Sequence, residues 1–231
     1  QYMLQMVNGA SRTELTLGGQ IERSSDTALS ANRSLPSVGV LWENRGPTRV
    51  IGLRASLAEE STREVEFADF GRVVLDSTQR TGSIGATWTT ELTSSTDAEF
   101  ALSHARVAYD VPLLRDYDET SASARYRWQH GANGRYALTA STARQRRDGD
   151  DRIGGAEERN RISRHGLVLG YELQLSELVT LAASAGAMRT GSPDSRTHAV
   201  GSLRLAREGE RFAYTLEWGR DLSADGSARG Y

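Results

Sequence analysis

Phe212, Tyr214, Leu216 and Trp218 alternate with Ala213, Thr215, Glu217 and Gly219. A period of two sends one set to each face of a β-strand. The same pattern recurs along the chain. It predicts strands at residues 13–23 (Leu15, Leu17, Ile21), 37–43 (Val38, Val40, Trp42) and 49–58 (Ile51, Leu53, Ala55, Leu57). It continues at 81–92 (Ile84, Ala86, Trp88), 120–129 (Ala122, Ala124, Tyr126, Trp128) and 134–144 (Tyr136, Leu138, Ala140). Further strands follow at 161–175 (Leu167, Leu169, Tyr171, Leu173, Leu175), 179–188 (Leu181, Ala183, Ala185, Ala187), 198–206 (Leu203, Leu205) and 211–220. In the segment 98–110, Phe100 and Leu102 hold one phase and Val107 and Tyr109 the other, which predicts a bulge near His104. Residues 1–7 precede the hairpin signal Asn8-Gly9 and read as a partial strand, as do 227–231.

The connections alternate in length. Short ones fall at 44–47, 93–96, 130–133, 176–177 and 208–210. Longer ones fall at 24–36, 59–80, 111–119, 145–160, 191–196 and 221–226. Trp42, Trp88, Trp128 and Tyr171 stand just before short turns, and Phe100, Tyr136, Phe212 and Tyr214 just after them. Rings gathered beside one set of turns suit an aromatic girdle at a membrane–water interface. Core aromatics of a soluble sandwich would be the alternative reading.

No layer in the sequence is available to cover these apolar faces. A closed barrel, apolar outside and polar inside, removes the difficulty. The expected fold is therefore all-β: a single domain over 1–231, a transmembrane antiparallel meander barrel of about 12–14 strands. An open edge cannot face lipid, so the terminal strands are expected to continue beyond this chain.

Composition agrees with that reading. The hydrophobic fraction is 38% and mean hydropathy −0.51, too polar for helical spans, but only every second residue of a barrel strand meets lipid. No run approaches the roughly 20 apolar residues of a membrane helix. Net charge is −2 and points to no nucleic acid. All 28 basic residues are Arg, read as compositional bias, and there is no Cys, so disulfides and thiolate metal sites are excluded. The chain starts at Gln1 with no Met and no apolar leader-like run, so either a signal peptide is expected to have been removed or the chain to have been trimmed.

The run from Tyr109 through Gly226 resembles uncharacterised outer-membrane β-barrel, porin-like proteins of Gram-negative bacteria, some associated with exopolysaccharide systems. The resemblance rests on LLRDYDETSASARYRWQ, RQRRDGDD, LVLGYELQLSELVTLAASAG and GERFAYTLEWGRDLSADG. It implies the fold and an outer-membrane location, and carries no catalytic residue or substrate.

Candidate chemistry lies on the inward positions. Arg54, Arg125, Arg127 and Arg204 are expected to face the lumen with Glu43, Glu91, Glu172 and Glu217. They would form either a charged constriction or a lattice of ion pairs that stiffens the wall. Arg125 and Arg127, two apart on one strand, are the candidates for contact with an anionic solute. Asp148, Asp150 and Asp151 offer oxygen ligands but lack the spacing of a Ca²⁺ loop and have arginine neighbours, so no metal is expected. Connection 59–80 carries Phe67, Phe70, Val73, Val74 and Leu75, which suggests that it folds inward or onto a neighbour. Ser163 with His165, and Ser195 with His198 after Asp194, are the candidate nucleophile–base pairs, with His104 mid-strand; the first has no evident orienting group and the second, three apart, falls on opposite faces of a strand, so neither an enzyme nor a cofactor is expected. The expected function is a channel for small polar solutes or an accessory saccharide-export conduit. The alternative is a closed barrel serving as surface anchor or scaffold. Expected partners are outer-membrane lipid and lipopolysaccharide, with solutes or envelope proteins beside them.

Overall fold

A computed structural model describes residues 2–23, 33–61, 78–110, 116–147, 161–191, 195–207, 209, 212–222 and 228–230. Among them there is no helix. The strands are β1 (Tyr2–Asn8), β2 (Ser11–Glu22), β3 (Arg33–Arg45), β4 (Arg49–Ser61), β5 (Thr78–Thr93), β6 (Thr96–Tyr109) and β7 (Tyr117–His130). They continue with β8 (Gly134–Arg147), β9 (Arg161–Ser176), β10 (Val179–Gly191), β11 (Arg196–Arg207) and β12 (Tyr214–Leu222), and a three-residue β13 (Ala228–Gly230) ends the series. They form one sheet in chain order, with β1 and β13 as its two ends. Among the described residues the ladder is thus an open antiparallel meander.

Contacts divide the chain into two compact units. The first comprises Gln1–Thr87, Leu102–Thr120 and Gln145–Ala156; the second comprises Trp88–Ala101, Ser121–Arg144 and Glu157–Tyr231.

In the first unit, Leu15, Val40 and Ala55 lie in register across β2, β3 and β4, as do Leu17, Val38 and Leu57. One residue along, Thr16, Gly39 and Ser56 make a row on the opposite face, and Ser56 Oγ lies 2.7 Å from Ser83 Oγ. The apolar row is the exposed one: Leu57 keeps 57% of its surface and Ile84 61%. The buried apolar residues of this unit, Leu35 and Val107, are on the other face: Leu35 pairs with Gln20 and shares its side of β3 with Ser37 and Gly39. Burying a large apolar side chain gains ~1.5–3 kcal/mol, and the exposed row forgoes that gain unless something other than water covers it.

The second unit repeats the arrangement. Tyr171, Ala183, Leu203 and Trp218 form a cross-strand row, and Gly170, Ser184, Ser202 and Gly219 the adjacent row on the opposite face. Ser184 Oγ and Ser202 Oγ share a hydrogen bond of 2.8 Å. Trp218 is 67% exposed and Leu216 64%.

Tight turns close the hairpins. Gly9 and Gly131 adopt positive φ, 58° and 68°, in the β1–β2 and β7–β8 turns, where a Cβ would strain the backbone. Thr93 Oγ1 and Thr96 Oγ1 lie 2.8 Å apart across the β5–β6 turn.

Several strands run up to three residues past their expected bounds, as β4 does to Ser61 and β5 from Thr78, and three further details differ from the sequence reading. β3 starts at Arg33, so the strand runs through Pro36, which lies opposite Gly19. β12 starts at Tyr214, because the ladder to β11 closes at the Arg207–Tyr214 pair; Phe212 therefore stands in the connection, 80% exposed, outside the strand. The alternation in β6 keeps its phase through His104: Phe100, Leu102, His104 and Arg106 are exposed, and Ala101, Ser103, Ala105 and Val107 are not. Val107 is an apolar residue on the polar side of the strand, which mimics a change of phase in the sequence pattern.

Candidate functional site

The polar face of the second unit holds the densest charge cluster among the described residues. It is built by β6 and β7 near their short-turn ends, where Gln129 N–H donates to Ser95 O at 2.8 Å. Alternation puts Asp97 and Glu99 on one face of β6, and Arg125 and Arg127 on one face of β7. Arg127 Nε donates to Asp97 Oδ1 at 2.6 Å, and its Nη2 lies 3.6 Å from Glu99 Oε2. Arg125 Nη1 is 3.9 Å from Glu99 Oε1, and its Nε donates to Thr139 Oγ1 at 3.2 Å. The Arg127 side chain is 26% exposed and that of Arg125 44%.

The two arginines have different capacities. Arg127 is held between two carboxylates, one at close hydrogen-bonding distance. Arg125 is held loosely by Glu99 and directed by a neutral hydroxyl, so its guanidinium can exchange Glu99 for a carboxylate, phosphate or hydroxyl of a solute. The cluster has two cations and two anions, so it presents alternating charge with no net sign.

The other predicted lumen residues do not join it. Arg204 and Glu217 are register partners on the polar face of β11 and β12, beside Ser202 and Gly219. Glu172 faces Ala182 across the β9–β10 ladder and is exposed. Glu91 is exposed near the end of β5. In the first unit, Glu43 lies opposite Arg12 and accepts a hydrogen bond from Arg45 Nε, while Arg12 also pairs with Glu14 at 2.8 Å. Arg54 lies against Gly85, where an added Cβ would sit 2.8 Å from its Nε, so the missing side chain makes room for the guanidinium.

Five of the eight predicted girdle residues, Trp88, Phe100, Trp128, Tyr136 and Tyr171, make ring contacts. Trp88 stacks on Phe100 with centroids 5.5 Å apart. Trp128 stacks on Tyr136 at 5.2 Å, and Tyr136 meets Tyr171 at 4.5 Å. Tyr126 and His130 extend this group. Trp42 lies opposite Thr13 and Leu53 on the apolar face of the first unit, and Tyr214 opposite Arg207 in the second.

The serine–histidine pairs are not assembled. Ser163 Oγ donates to Gly191 O at 3.3 Å, while His165 Nδ1 shares a hydrogen bond with Thr142 Oγ1 at 3.0 Å. Ser195 Oγ accepts from Arg189 Nε at 2.8 Å. His104 Nδ1 lies 2.9 Å from Thr120 Oγ1. Asp148, Asp150 and Asp151, the apolar residues of connection 59–80, and Asp194 lie outside the described residues.

Asp97 and Glu99 are the residues that sequence reasoning missed. Their signal was available: two acids, two apart on one strand, facing two arginines, two apart on the next. No family model matches this chain, and no curated protein is similar to it.

Proposed function

We propose that this protein is a bacterial outer-membrane β-barrel that acts as a porin-like channel for small polar solutes, saccharides among them, or as an accessory conduit for saccharide export. One observation carries the reading: each unit exposes its apolar row and carries its rows of Ser and Gly, with the Arg–carboxylate pairs near the short turns, on the other face. A soluble single sheet would leave the apolar face in water. In a membrane, lipid covers that face and the aromatic residues beside the short turns reach the interface. The polar face then lines the lumen. Its rows of Ser and Gly offer hydroxyls without bulk, and Arg125 supplies the exchangeable charge.

The ion pairs favour a second reading, a closed barrel serving as anchor or scaffold. Arg127 bound by both Asp97 and Glu99 is a lattice element as well as a constriction element. Conductance in planar bilayers separates the two. Discrete conductance steps from the purified protein support the channel; insertion without steps above background refutes it and leaves the scaffold.

A further inference from the structure

The exposed apolar face of the first unit is not smooth. Ala55 on β4 and Gly82 on β5 are small where their neighbours Val38, Leu57 and Ile84 are large, and the difference leaves a groove of about 440 Å³. The groove crosses β3, β4, β5 and β6, and its lining residues on the apolar face are aliphatic until β6. There they change to His104 and Arg106. Three inter-strand steps of ~4.8 Å give the groove a length of about 14 Å, enough for a stretch of acyl chain.

At its β6 end a cation stands beside the apolar wall. Arg106 lies towards the long-connection end of β6, and its side chain is 64% exposed. Its nearest carboxylate oxygen, Asp118 Oδ1, is 4.0 Å from Nε, at the limit of an ion pair, so the guanidinium keeps donors available. His104 is tied to Thr120 through Nδ1, which holds the ring at the groove. Arg80 also lies towards this end, but it is committed to Glu59 through both Nε, at 2.9 Å, and Nη2, at 2.6 Å. Among the described residues at this end, Arg106 is therefore the cation left for a ligand at this groove. An aliphatic slot with a solvent-exposed guanidinium beside its end matches a molecule with a hydrocarbon chain and an anionic head.

We propose that this groove binds an acyl chain of a membrane lipid whose phosphate is held by Arg106. The assignment rests on the outer-membrane reading, which places this face against lipid and the long-connection end of β6 at a membrane surface. A phosphate with no cation in its own head group suits the fork of Arg better than the phosphate of a zwitterionic head, which choline already neutralises.

The test is native mass spectrometry of the full chain released from neutral maltoside micelles, with short-chain phosphatidic acid and phosphatidylcholine as probes. Retention of phosphatidic acid should exceed that of phosphatidylcholine by about five-fold or more. Arg106→Gln should abolish the preference while chain binding persists, and Arg106→Lys should restore part of it. Gly82→Leu, which places a side chain in the groove against Leu57, should remove retention of both probes. Circular dichroism of each variant confirms that the sheet is intact. Equal retention of the two lipids by the unaltered protein overturns the proposal, as does unchanged retention in Arg106→Gln or Gly82→Leu. Partition of the same preparation between buffer and vesicles is measured alongside. Protein that stays in buffer refutes the membrane reading, and head-group preference without partition would still place the lipid in the groove.

Discussion

Leu169→Arg separates lipid from water on the apolar face. Leu169 lies opposite Ala185, between Leu167 and Tyr171 on the exposed face of β9, and keeps 46% of its surface. It stands four residues from His165 and six from Leu175, so it is ~13–20 Å along the strand from either end of the apolar stripe. In a bilayer this is a midplane position, where an arginine costs ~2–4 kcal/mol, a fall in the folding constant of about 30- to 1,000-fold. In water the same change replaces an exposed leucine by a solvated charge and costs under ~0.5 kcal/mol. Glu172→Gln is the internal control: it lies on the opposite face, against Ala182, and should shift stability by no more than ~0.5 kcal/mol in either setting. Both variants and the parent chain are folded into vesicles and unfolded in urea, with tryptophan emission as the signal. A loss confined to Leu169→Arg supports the assignment. Equal behaviour of the two variants, or a Leu169→Arg chain as stable as the parent, refutes it.

Other outcomes follow from the charged face and the turns. Arg127→Ala should destabilise the folded chain by about 1 kcal/mol, discounted for its partial exposure, and a cycle with Asp97→Ala should return coupling of ~0.5–1 kcal/mol; coupling near zero would mean that the contact is incidental. Arg125→Ala leaves Glu99 without a facing charge on that side, so reversal potentials in a salt gradient should move towards cations by roughly two-fold or more in permeability ratio. A shift towards anions, or none in a conducting protein, would remove Arg125 from the pore. Gly131→Ala, at φ 68°, should cost ~1 kcal/mol in urea unfolding, whereas a neutral result would show that the β7–β8 turn rearranges freely.

Strand type and order were legible because period-2 alternation needs only local sequence. Leu167, Leu169 and Tyr171 announce both the strand and its faces. Strand ends were less legible. The extra rungs of ladder at 33–36 hold Arg33, Ser34 and Pro36 with a single apolar residue, Leu35, which is out of phase with Val38 and Val40, so the hydrophobic alternation does not mark them, and Phe212 looks like a continuation of the Tyr214 row although pairing stops at Arg207. The charge cluster was half legible. Arg125 and Arg127 stand out on one strand, but their partners depend on the register between β6 and β7. Alternation fixes a register only to within steps of two residues. Asp97 and Glu99 therefore emerge from pairing and not from pattern. His104 shows the opposite case: an apolar Val107 on the polar side imitates a slipped phase.

The meander order has a kinetic meaning. Every strand is hydrogen-bonded to its sequence neighbours, from β1 to β13. Relative contact order is then low for an all-β chain, and each new ladder costs the closure of one connection rather than of the whole loop. The sheet can zip from any hairpin outwards. A lesion in one strand halts growth there and leaves the hairpins on either side intact, so fragments cut between ladders should nucleate as the parent does.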